Sequence, residues 1–326
     1  MVDILGPLST AAPSRAVLHF PQTANALACA RFWAWRSAVT GIRSAAFNRS
    51  ELLVGAAGID RLAGARVILF GIGGVGSWTA EALVRSGLGH LTIVDSDGVC
   101  ITNLNRQLQA TTDTVGRVKV EVLAQRLLAI NPALDLLTHH RAYCLETRET
   151  FALETYDYVL DAIDSLSPKL NLILQSLELG RTVFSCMGAS GKLDPTRVRV
   201  DSVWKSEGCA LARRIRKRLR KRKPRWDFKV VYSPEMLAQQ GEVDGCGGGA
   251  CHCPAFLHGP NGEKLEAHEW CSKKAAINGS MVTVTATFGM FLAALVINDV
   301  LAKAGLMPPE RGTFEEDPDP ADTETL

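Results

Sequence analysis

A glycine-rich turn lies between a short apolar run and a helix-like segment, and it is the first place where this sequence offers chemistry. The turn reads GIGGVGS over residues 71–77, after the run 66–70 and before residues 78–85. Glycine lets a backbone approach a phosphate closely, and the N–H groups at the start of a following helix attract an anion. The candidate phosphate contacts are Gly71, Gly73, Gly74, Gly76 and Ser77. Because nicotinamide and flavin enzymes have the same turn, it predicts a nucleotide without choosing which one.

The residues after the next predicted strand favour a nucleoside triphosphate. Asp95 ends a strand predicted over residues 90–94, where a carboxylate can accept hydrogen bonds from ribose hydroxyls. The loop over residues 97–107 reads DGVCITNLNRQ, and the predicted helix after it carries Lys119. Amides can donate to phosphate oxygens, and cations can neutralise the charge that develops when the bond between the α- and β-phosphates breaks. The candidates here are Asp97, Asn103, Asn105, Arg106, Gln107 and Lys119.

A third strand end supplies a candidate metal ligand. Residues 158–160 form a short apolar run that leads into Asp161 and Asp164. A carboxylate at a strand end in a triphosphate site is a natural ligand for Mg²⁺. Both carboxylates are candidates from the pattern alone.

These motifs require an α/β fold. Alternating strand and helix patterns predict a Rossmann-like, doubly wound parallel sheet with the motifs at its carboxyl edge. We predict an Arg-rich extension over residues 1–46, a nucleotide-binding domain over 47–305 and an acidic, disordered tail over 306–326. The domain ends in a predicted strand over 280–287 and a buried helix over 289–296. These two lie in an uncharged run of membrane-spanning length, which we interpret as core and not as a stable membrane span.

Positive charge is concentrated in one predicted helix. The chain has a formal net charge of +2, but residues 213–225 contain ten basic side chains. Within this basic helix, residues 207–225, the side chains of Leu211, Ile215 and Leu219 form a thin apolar stripe. Like charges at this density repel one another, so we predict that the surface binds the phosphates of RNA. The predicted RNA contacts are Arg213, Arg214, Arg216, Lys217, Arg218, Arg220, Lys221 and Arg222.

The chain has nine cysteines, and this odd number in a long chain favours a reducing compartment over a secreted disulfide framework. Four of them lie in a predicted insertion over residues 240–275 and could form a structural Zn²⁺ site. These four are Cys246, Cys251, Cys253 and Cys271. Unpaired thiols on a surface insertion are the alternative. Cys186 follows a buried run, and we interpret it as a core thiol.

The N-terminal extension bears on location. Residues 1–49 carry five arginines, no lysine and one acidic residue. This composition is typical of an organellar transit peptide or of a bacterial N-terminal extension. We therefore expect a mitochondrial location if the protein is eukaryotic and a cytoplasmic one if it is bacterial.

Taken together, the motifs resemble a known family. The glycine turn, the strand-end Asp95, the N-x-x-R-Q loop, Lys119 and Asp164 are similar to those of the ThiF-type adenylating enzymes, typified by ubiquitin activation and sulfur-carrier activation. In particular, the chain resembles the tRNA threonylcarbamoyladenosine dehydratase branch over about residues 47–305. The stretches that carry this resemblance are GIGGVGSW, VCITNLNRQ, DAIDS with Pro168 and Lys169 nearby, SGKLDPT, VTATFG and the basic helix.

The resemblance implies roles for the candidate residues. Asp95 would bind the ribose of ATP, and Asp164 would bind Mg²⁺. The phosphate contacts would be Asn103, Arg106, Gln107 and Lys119. Arg49 of one copy in a homodimer would enter the site of the other copy. The substrate would be tRNA carrying threonylcarbamoyladenosine, activated as an acyl-adenylate, and sulfur-relay proteins would be candidate partners.

Three other functions stay open. Activation of a ubiquitin-like sulfur-carrier protein uses the same first half-reaction but has no need of the basic helix. A nicotinamide dehydrogenase has no need of Arg106 and Lys119. A non-catalytic tRNA-binding or sulfur-relay adaptor has no need of a complete set of Arg106, Lys119 and Asp164.

Overall fold

The computed structural model describes residues 14–15, 39–222, 226–238 and 278–309, and the structural statements below concern those residues. The helices are α1 (Val39–Gly64), α2 (Gly76–Arg85), α3 (Lys119–Ile130), α4 (Leu166–Glu178), α5 (Ala210–Arg222) and α6 (Val282–Lys303). The strands are β1 (Ser14–Arg15), β2 (Arg66–Phe70), β3 (His90–Val94), β4 (Asp135–His139), β5 (Tyr158–Asp161), β6 (Thr182–Cys186), β7 (Arg199–Ser202) and β8 (Lys229–Tyr232).

The strands form one sheet in the order β1-β4-β3-β2-β5-β6-β8-β7. The six strands from β4 to β8 in this order are parallel neighbours, and β1 and β7 pair antiparallel at the two edges. Phe70 pairs with both Val94 and Asp161, so β2, β3 and β5 end at the same level. The strand order reverses at β2, and open parallel sheets bind ligands at such a switch point. The predicted doubly wound α/β fold is confirmed.

Helices cover both faces of the sheet. On one face α2, α3 and α6 bury Leu83, Leu123 and Phe288 against the strands. On the other face α4 and α5 bury Ile173 and Ile215. Strands covered on both sides are continuously apolar, and the last four residues of β2 are all buried. This rigid sheet carries the candidate site at its carboxyl edge.

The strand predicted over residues 280–287 is wrong, because the long helix α6 begins at Val282 and contains six of these eight residues. The buried positions of α6 repeat at helical spacing: Val284, Phe288, Leu292 and Val296. The alternating threonines fit the helix, because Thr287 donates its hydroxyl to the carbonyl of Thr283 at 2.7 Å. The period of four residues, and not the local period of two, decides the structure here.

Helix α6 is long and apolar enough to span a membrane by length and composition, but 56% of its most apolar 18-residue stretch is buried. It crosses α2 at Gly289, whose carbonyl accepts a hydrogen bond from Thr79 Oγ1 at 3.2 Å. A Cβ at Gly289 would lie 2.7 Å from the carbonyl oxygen of Val75. Only glycine allows this close approach, and α6 packs as a core helix.

The basic helix begins three residues later than predicted. Cys209 precedes α5, and its Sγ accepts a hydrogen bond from the N–H of Ala212 at 3.4 Å. Residues 223–225 of the predicted helix lie outside the described residues, as do the whole Cys-rich insertion, most of the N-terminal extension and most of the tail. The predictions made for those segments stay predictions.

Candidate active site

Two side chains hold the backbone of Ile72 in the glycine turn, one through its N–H and one through its carbonyl. Asp95 Oδ2 accepts a hydrogen bond from the N–H of Ile72 at 2.9 Å. Gln109 Nε2 donates to the carbonyl of Ile72 at 2.8 Å. A Cβ at Gly76 would clash with the carbonyl oxygen of Gly71, so the turn closes this tightly only with glycine at that position. The carboxyl end of β2 therefore leads through a fixed turn into α2.

Ser77 lies inside the turn and is fully buried. Its hydroxyl donates to the carbonyl of Gly73 at 2.7 Å and accepts a hydrogen bond from the N–H of Leu108 at 3.2 Å. Trp78 Nε1 donates to the carbonyl of Arg106 at 3.1 Å. The hydroxyl of Ser77, a predicted phosphate contact, therefore joins the glycine turn to the loop that carries Arg106.

A buried ammonium group lies beside two carboxylates at the end of β3. Lys119 Nζ donates to Asp97 Oδ2 at 2.8 Å, and the lysine side chain is only 5% exposed. Burial alone would lower the pKa of Lys119, but Asp95 and Asp97 outweigh this effect and raise it, so the lysine stays protonated. Burial raises the pKa of Asp95, although the charge of Lys119 opposes this rise. The pair places a cation next to a hydrogen-bond acceptor suited to ribose.

Arg106 crosses the glycine turn. A Cβ at Gly74 would lie 3.2 Å from Arg106 Cγ, so the glycine leaves room for the arginine side chain. Arg106 Nη1 donates to the carbonyl of Thr102 and to Asn105 Oδ1, both at 2.8 Å. Asn105 Nδ2 in turn donates to the carbonyl of Ser280, just before α6, at 2.9 Å. Asn105 therefore holds the Arg106 side chain in place over the glycine turn.

The other two amides of the loop are buried. Asn103 Oδ1 accepts a hydrogen bond from the N–H of Cys100 at 3.0 Å. Gln107 faces the turn, since its Nε2 would lie 3.7 Å from a Cβ at Gly73. Its Oε1 has no hydrogen-bond partner among the described residues, which is uncommon for a buried polar atom. Because Oε1 can only accept, the atom of Gln107 that could donate to a phosphate oxygen is Nε2, which faces Gly73.

Asp164 is exposed just beyond the end of β5, and the hydroxyl of Ser165 donates to its Oδ1 at 3.2 Å. Burial lowers the pKa of Arg106, and the negative charge of Asp164 opposes this. Asp164 also contributes to the raised pKa of Lys119. Asp161, in contrast, is fully buried and pairs with Lys169 at 2.8 Å. The exposed carboxylate near both cations is therefore that of Asp164.

The position of Asp164 fits a Mg²⁺ ligand. Mg²⁺ commonly binds one or two protein carboxylates together with substrate phosphates and water. Asp164 offers one exposed carboxylate beside the cations that are expected to contact phosphates. In the described part of the chain, no group of three or more His, Cys, Asp or Glu side chains is arranged to hold a metal. The candidate Zn²⁺ ligands Cys246, Cys251, Cys253 and Cys271 lie outside the described residues.

Arg49 lies away from this cluster within one chain. It is exposed on α1, and the neighbouring Phe47 packs 3.8 Å from the Cβ position of Gly87, which follows the C-terminal end of α2. The glycine turn is at the other end of α2, about 15 Å away for a helix of this length. The structure therefore does not bring Arg49 to the site of its own chain.

Seven exposed basic side chains of α5 form a surface that we call the basic face. They are Arg213, Arg214, Lys217, Arg218, Arg220, Lys221 and Arg222. The helix packs on the sheet through Ile215 and Leu219. Arg216, predicted as an RNA contact, turns inward and donates to the carbonyl and hydroxyl oxygens of Ser206. It therefore supports α5 and does not belong to the basic face.

A groove of about 400 Å³ lies between the basic face and the N-terminus of α4. Its lining residues are Leu166, Arg214, Lys217, Arg218 and Lys221. Leu166 is only two residues beyond Asp164 in the chain. The basic face therefore borders the carboxyl edge of the sheet, next to the candidate nucleotide site.

Sequence reasoning assigned no role to two residues that shape the site, Gln109 and Lys169. Gln109 belongs to the same loop as Gln107, but its bond to Ile72 connects positions 37 residues apart. Lys169 is fully buried in α4, where its neighbours Leu170 and Leu172 are apolar. A lysine among buried positions of an amphipathic helix, five residues after a candidate metal ligand, is a signal that could have identified it.

The fold and the site define a nucleotide-binding α/β protein with the arrangement of an adenylate-forming enzyme. The cations Arg106 and Lys119 lie with the carboxylates of Asp95 and Asp164 at the switch point of its sheet. The model of the ThiF family matches residues 47–311, and the chain belongs to the ThiF family.

Its relatives narrow the comparison. The chain is 34% identical over 265 residues to the tRNA threonylcarbamoyladenosine dehydratase of Escherichia coli. The aligned region covers 79% of this chain and 94% of the relative. It is 40% identical over 189 residues to the enzyme of the same name from Bacillus subtilis, covering 58% and 74%. The structure of the Escherichia coli dehydratase in complex with ATP matches with a TM-score of 0.66 at 31% identity, covering 80% of this chain and 96% of that one.

Proposed function

We propose that the protein catalyses the ATP-dependent dehydration of threonylcarbamoyladenosine in tRNA through an acyl-adenylate. The observation that carries this proposal is the position of the basic face beside the candidate ATP site. Leu166, two residues after Asp164, lines the same groove as Arg214 and Arg218. The names of the relatives and the ATP complex of the Escherichia coli enzyme support the same reaction.

The first step activates a carboxylate. A carboxylate oxygen of the threonylcarbamoyl group attacks the α-phosphorus of ATP, and pyrophosphate leaves as the acyl-adenylate forms. Arg106 and Lys119 lie at the same sheet edge and stabilise the negative charge that develops on the phosphates. Asp95 accepts hydrogen bonds from the ribose. Mg²⁺ bound by Asp164 would supply further neutralisation of phosphate charge.

The second step closes a ring. The carbamoyl group of the same modification attacks the activated carbonyl carbon and loses a proton to solvent, and AMP leaves with the carboxyl oxygen that it acquired in the first step. A five-membered ring forms, and the net change in the nucleoside is the loss of one water. Because attacker and target belong to one group, proximity supplies much of the rate, and no enzyme nucleophile is required.

The basic face gives a physical reason for a tRNA substrate over a small carrier protein. Its cations contact no described acidic side chain through an ion pair, and they surround a groove of about 400 Å³. Such a surface binds a phosphate backbone and releases its counterions, so the affinity depends strongly on salt. The tRNA backbone on the basic face would bring a modified adenosine to the adjacent ATP site.

A homodimer would complete the site. Leu52 and Leu53 on α1 are 88% and 68% exposed, and they follow the exposed Arg49 by one turn. Neighbouring exposed leucines are suited to burial in an interface between two copies. In such a dimer the Arg49 side chain of one copy reaches the phosphates in the other, which accounts for its distance from the site of its own chain.

One assay tests the reaction directly. The protein is incubated with ATP, Mg²⁺ and tRNA that carries threonylcarbamoyladenosine, and pyrophosphate, AMP and the digested nucleosides are measured. We expect tRNA-dependent release of pyrophosphate and AMP, and a modified adenosine that has lost one water. Pyrophosphate exchange that depends on the C-terminus of a small carrier protein would instead favour carrier activation. ATP that stays intact while tRNA binds would favour the adaptor.

A structural Zn²⁺ ion and sulfur-relay partner proteins are two further, separate proposals. Four cysteines at positions 246, 251, 253 and 271 would hold one structural Zn²⁺ per chain. Elemental analysis of protein purified without added zinc tests this, and a content far below one zinc per chain would contradict it. Sulfur-relay proteins are candidate partners, and pull-down with the purified relay protein tests them.

A further inference from the structure

A buried ion pair lies directly beneath the candidate metal ligand. Lys169 and Asp161 are both fully buried, and Lys169 Nζ lies 2.8 Å from Asp161 Oδ2. Ser185 of the neighbouring strand β6 donates its hydroxyl to the same oxygen at 2.6 Å. Removing two charges from water is expensive, and an apolar pair of similar size would often stabilise the fold as well or better. Stability alone therefore does not account for this pair.

The two charged side chains fix both sides of one residue. Asp161 Oδ1 accepts a hydrogen bond from the N–H of Ile163 at 3.1 Å. Lys169 Nζ donates to the carbonyl of Ile163 at 2.9 Å. We call these two bonds the Ile163 clamp. The carbonyl of Ile163 shares a peptide plane with the nitrogen of Asp164, so the bond from Lys169 sets the direction in which the chain enters Asp164.

The Ile163 clamp also ties Asp164 to the rest of the site. The N–H of Ala162 donates to the carbonyl of Phe70 at 2.9 Å, so the chain leaves β5 beside the glycine turn. Asp164 itself is exposed, and Ser165 is the one described side chain that donates to it. The position of Asp164 relative to the glycine turn therefore depends on its backbone, and the buried Ile163 clamp holds that backbone in place.

We infer that Lys169 is a positioning residue, which holds Asp164 through the carbonyl of Ile163 at the place where Mg²⁺ and the ATP phosphates require its carboxylate. The inference rests on the proposed function, because that function assigns Mg²⁺ to Asp164. Residues that orient a metal ligand affect metal affinity by about 10- to 100-fold when they are lost. Lys169 acts in this way without contacting the metal or the nucleotide.

The test measures binding of Mg²⁺ and nucleotide, and does not depend on turnover. The dissociation constant of α,β-methylene ATP is determined for the full-length protein over a series of Mg²⁺ concentrations, which gives the Mg²⁺ concentration of half-maximal effect. Lys169→Met alone leaves the Asp161 charge buried without its partner and is expected to impair folding. The informative variant is therefore the double variant Asp161→Asn/Lys169→Met, which removes both charges.

In the folded double variant we expect the half-maximal Mg²⁺ concentration to rise about 10-fold or more. Binding of the analogue without Mg²⁺ should stay within about 2-fold of the wild type, since Asp95, Arg106 and Lys119 are intact. The matched control is Glu81→Gln. Glu81 is also buried and paired, to Arg126 at 2.8 Å and to Arg85 at 2.7 Å, but on α2 and α3 away from Asp164. Its half-maximal Mg²⁺ concentration should match the wild type.

Two results overturn the inference, and they can be told apart. If the wild type depends on Mg²⁺ and the folded double variant has the same half-maximal concentration, Lys169 is a structural residue and the proposed function is untouched. If analogue binding by the wild type does not respond to Mg²⁺ at all, the assignment of Mg²⁺ to Asp164 fails, and the inference fails with it.

Discussion

Lys119 forms an ion pair with Asp97 at 2.8 Å, and this pair places a protonated amine beside Asp95 at the end of β3. Both oxygens of Asp95 already accept backbone N–H groups, one from Ile72 in the glycine turn and one from Asp97. A single cluster therefore joins the glycine turn to the proposed ribose acceptor, Asp95, and the proposed phosphate-binding cation, Lys119. A substitution of Asp95, Asp97 or Lys119 should therefore weaken nucleotide binding more than it lowers the stability of the fold.

Nucleotide affinity should fall on acidification, beginning at a higher pH than an ordinary aspartate would cause. Burial raises the pKa of Asp95, although Lys119 opposes the rise. The affinity contributed by the ionised carboxylate is present above that raised pKa and is lost as the pH falls through it. The dissociation constant of a non-hydrolysable ATP analogue should be followed from about pH 7.5 to about pH 4.5. Asp95→Asn should bind more weakly at neutral pH and show a flatter profile.

Acid unfolding driven by protonation of Asp95 would not explain this loss of nucleotide affinity. Because the pKa of Asp95 is raised in the folded state, the folded protein takes up this proton more readily than the unfolded chain. Acidification through this range therefore adds stability at this site and does not remove it. A wild-type profile as flat as that of Asp95→Asn would contradict the assignment of Asp95 to the ribose.

Asp164→Ala should separate adenylation from tRNA binding. The exposed carboxylate contacts no residue of the basic face through a described hydrogen bond or ion pair, so its removal leaves the RNA-binding surface intact. Pyrophosphate release should fall by about 100-fold or more, as when one preorganised electrostatic group is removed. The affinity for tRNA, measured by filter binding, should stay within about 2-fold. An equal loss of both would identify Asp164 as a folding residue.

Reversing two charges on the basic face should weaken tRNA binding and its salt dependence together. Lys217→Glu/Arg218→Glu changes two exposed cations that line the groove beside α4. If both contact phosphates, the slope of log affinity against log salt should become shallower by about 2. The matched control is Arg61→Glu/Arg181→Glu, which makes the same change in net charge in a cleft at the opposite, amino edge of the sheet. If both variants weaken binding equally, net charge and not the basic face determines the affinity.

The fold and the contacts made along one strand end could be predicted from the sequence. The runs at 66–70 and 90–94 are the strands β2 and β3 with the predicted bounds, because continuous apolar runs bounded by glycine or acid suit buried parallel strands. The placement of Asp95 follows from the strand it ends. The prediction of a strand over residues 280–287 is wrong. A local alternation with a period of two residues concealed the four-residue spacing that buries Val284 and Phe288 in a helix.

What the sequence could not predict depends on contacts between distant segments. Gln109 contacts Ile72, 37 positions away in the chain, and its role does not follow from local pattern. The helical pattern marks Lys169 as an unusual buried lysine, but it does not show that Lys169 pairs with Asp161. The inward turn of Arg216 is a further example, since the seven other basic residues of α5 are exposed. A cationic helix must still satisfy buried carbonyls beneath it, and one arginine is used for that.

Gln109→Leu should weaken nucleotide binding by loosening the glycine turn. The variant leaves the carbonyl of Ile72 without the hydrogen bond that Gln109 Nε2 donates at 2.8 Å, which costs about 1–3 kcal/mol in a buried site. We expect a lower free energy of unfolding and a higher dissociation constant for the ATP analogue. Gln125→Leu is the control, since Gln125 is exposed and accepts from Arg117 on the surface. Unchanged analogue binding in a folded Gln109→Leu variant would show that the turn does not need this bond.

Gly289→Ala should destabilise the protein although alanine is the better helix former. In a helix interior the change from glycine to alanine contributes about 1 kcal/mol of stability by propensity alone. Here the added Cβ would lie 2.7 Å from the carbonyl oxygen of Val75 and 2.8 Å from Trp78 Cβ, so α6 and α2 must move apart. Overpacking of this kind costs about 1–3 kcal/mol. We therefore expect a net decrease in the free energy of unfolding, measured by urea denaturation.

The same variant should also weaken binding of the ATP analogue, because Val75 belongs to the glycine turn and α2 begins at Gly76. Gly64→Ala is the matched control. Gly64 ends α1, and a Cβ there would meet no atom within 4 Å. It should leave both the free energy of unfolding and analogue binding close to the wild type. A Gly289→Ala protein that is more stable than the wild type would show that propensity outweighs the contact, and that α6 does not set the position of the turn.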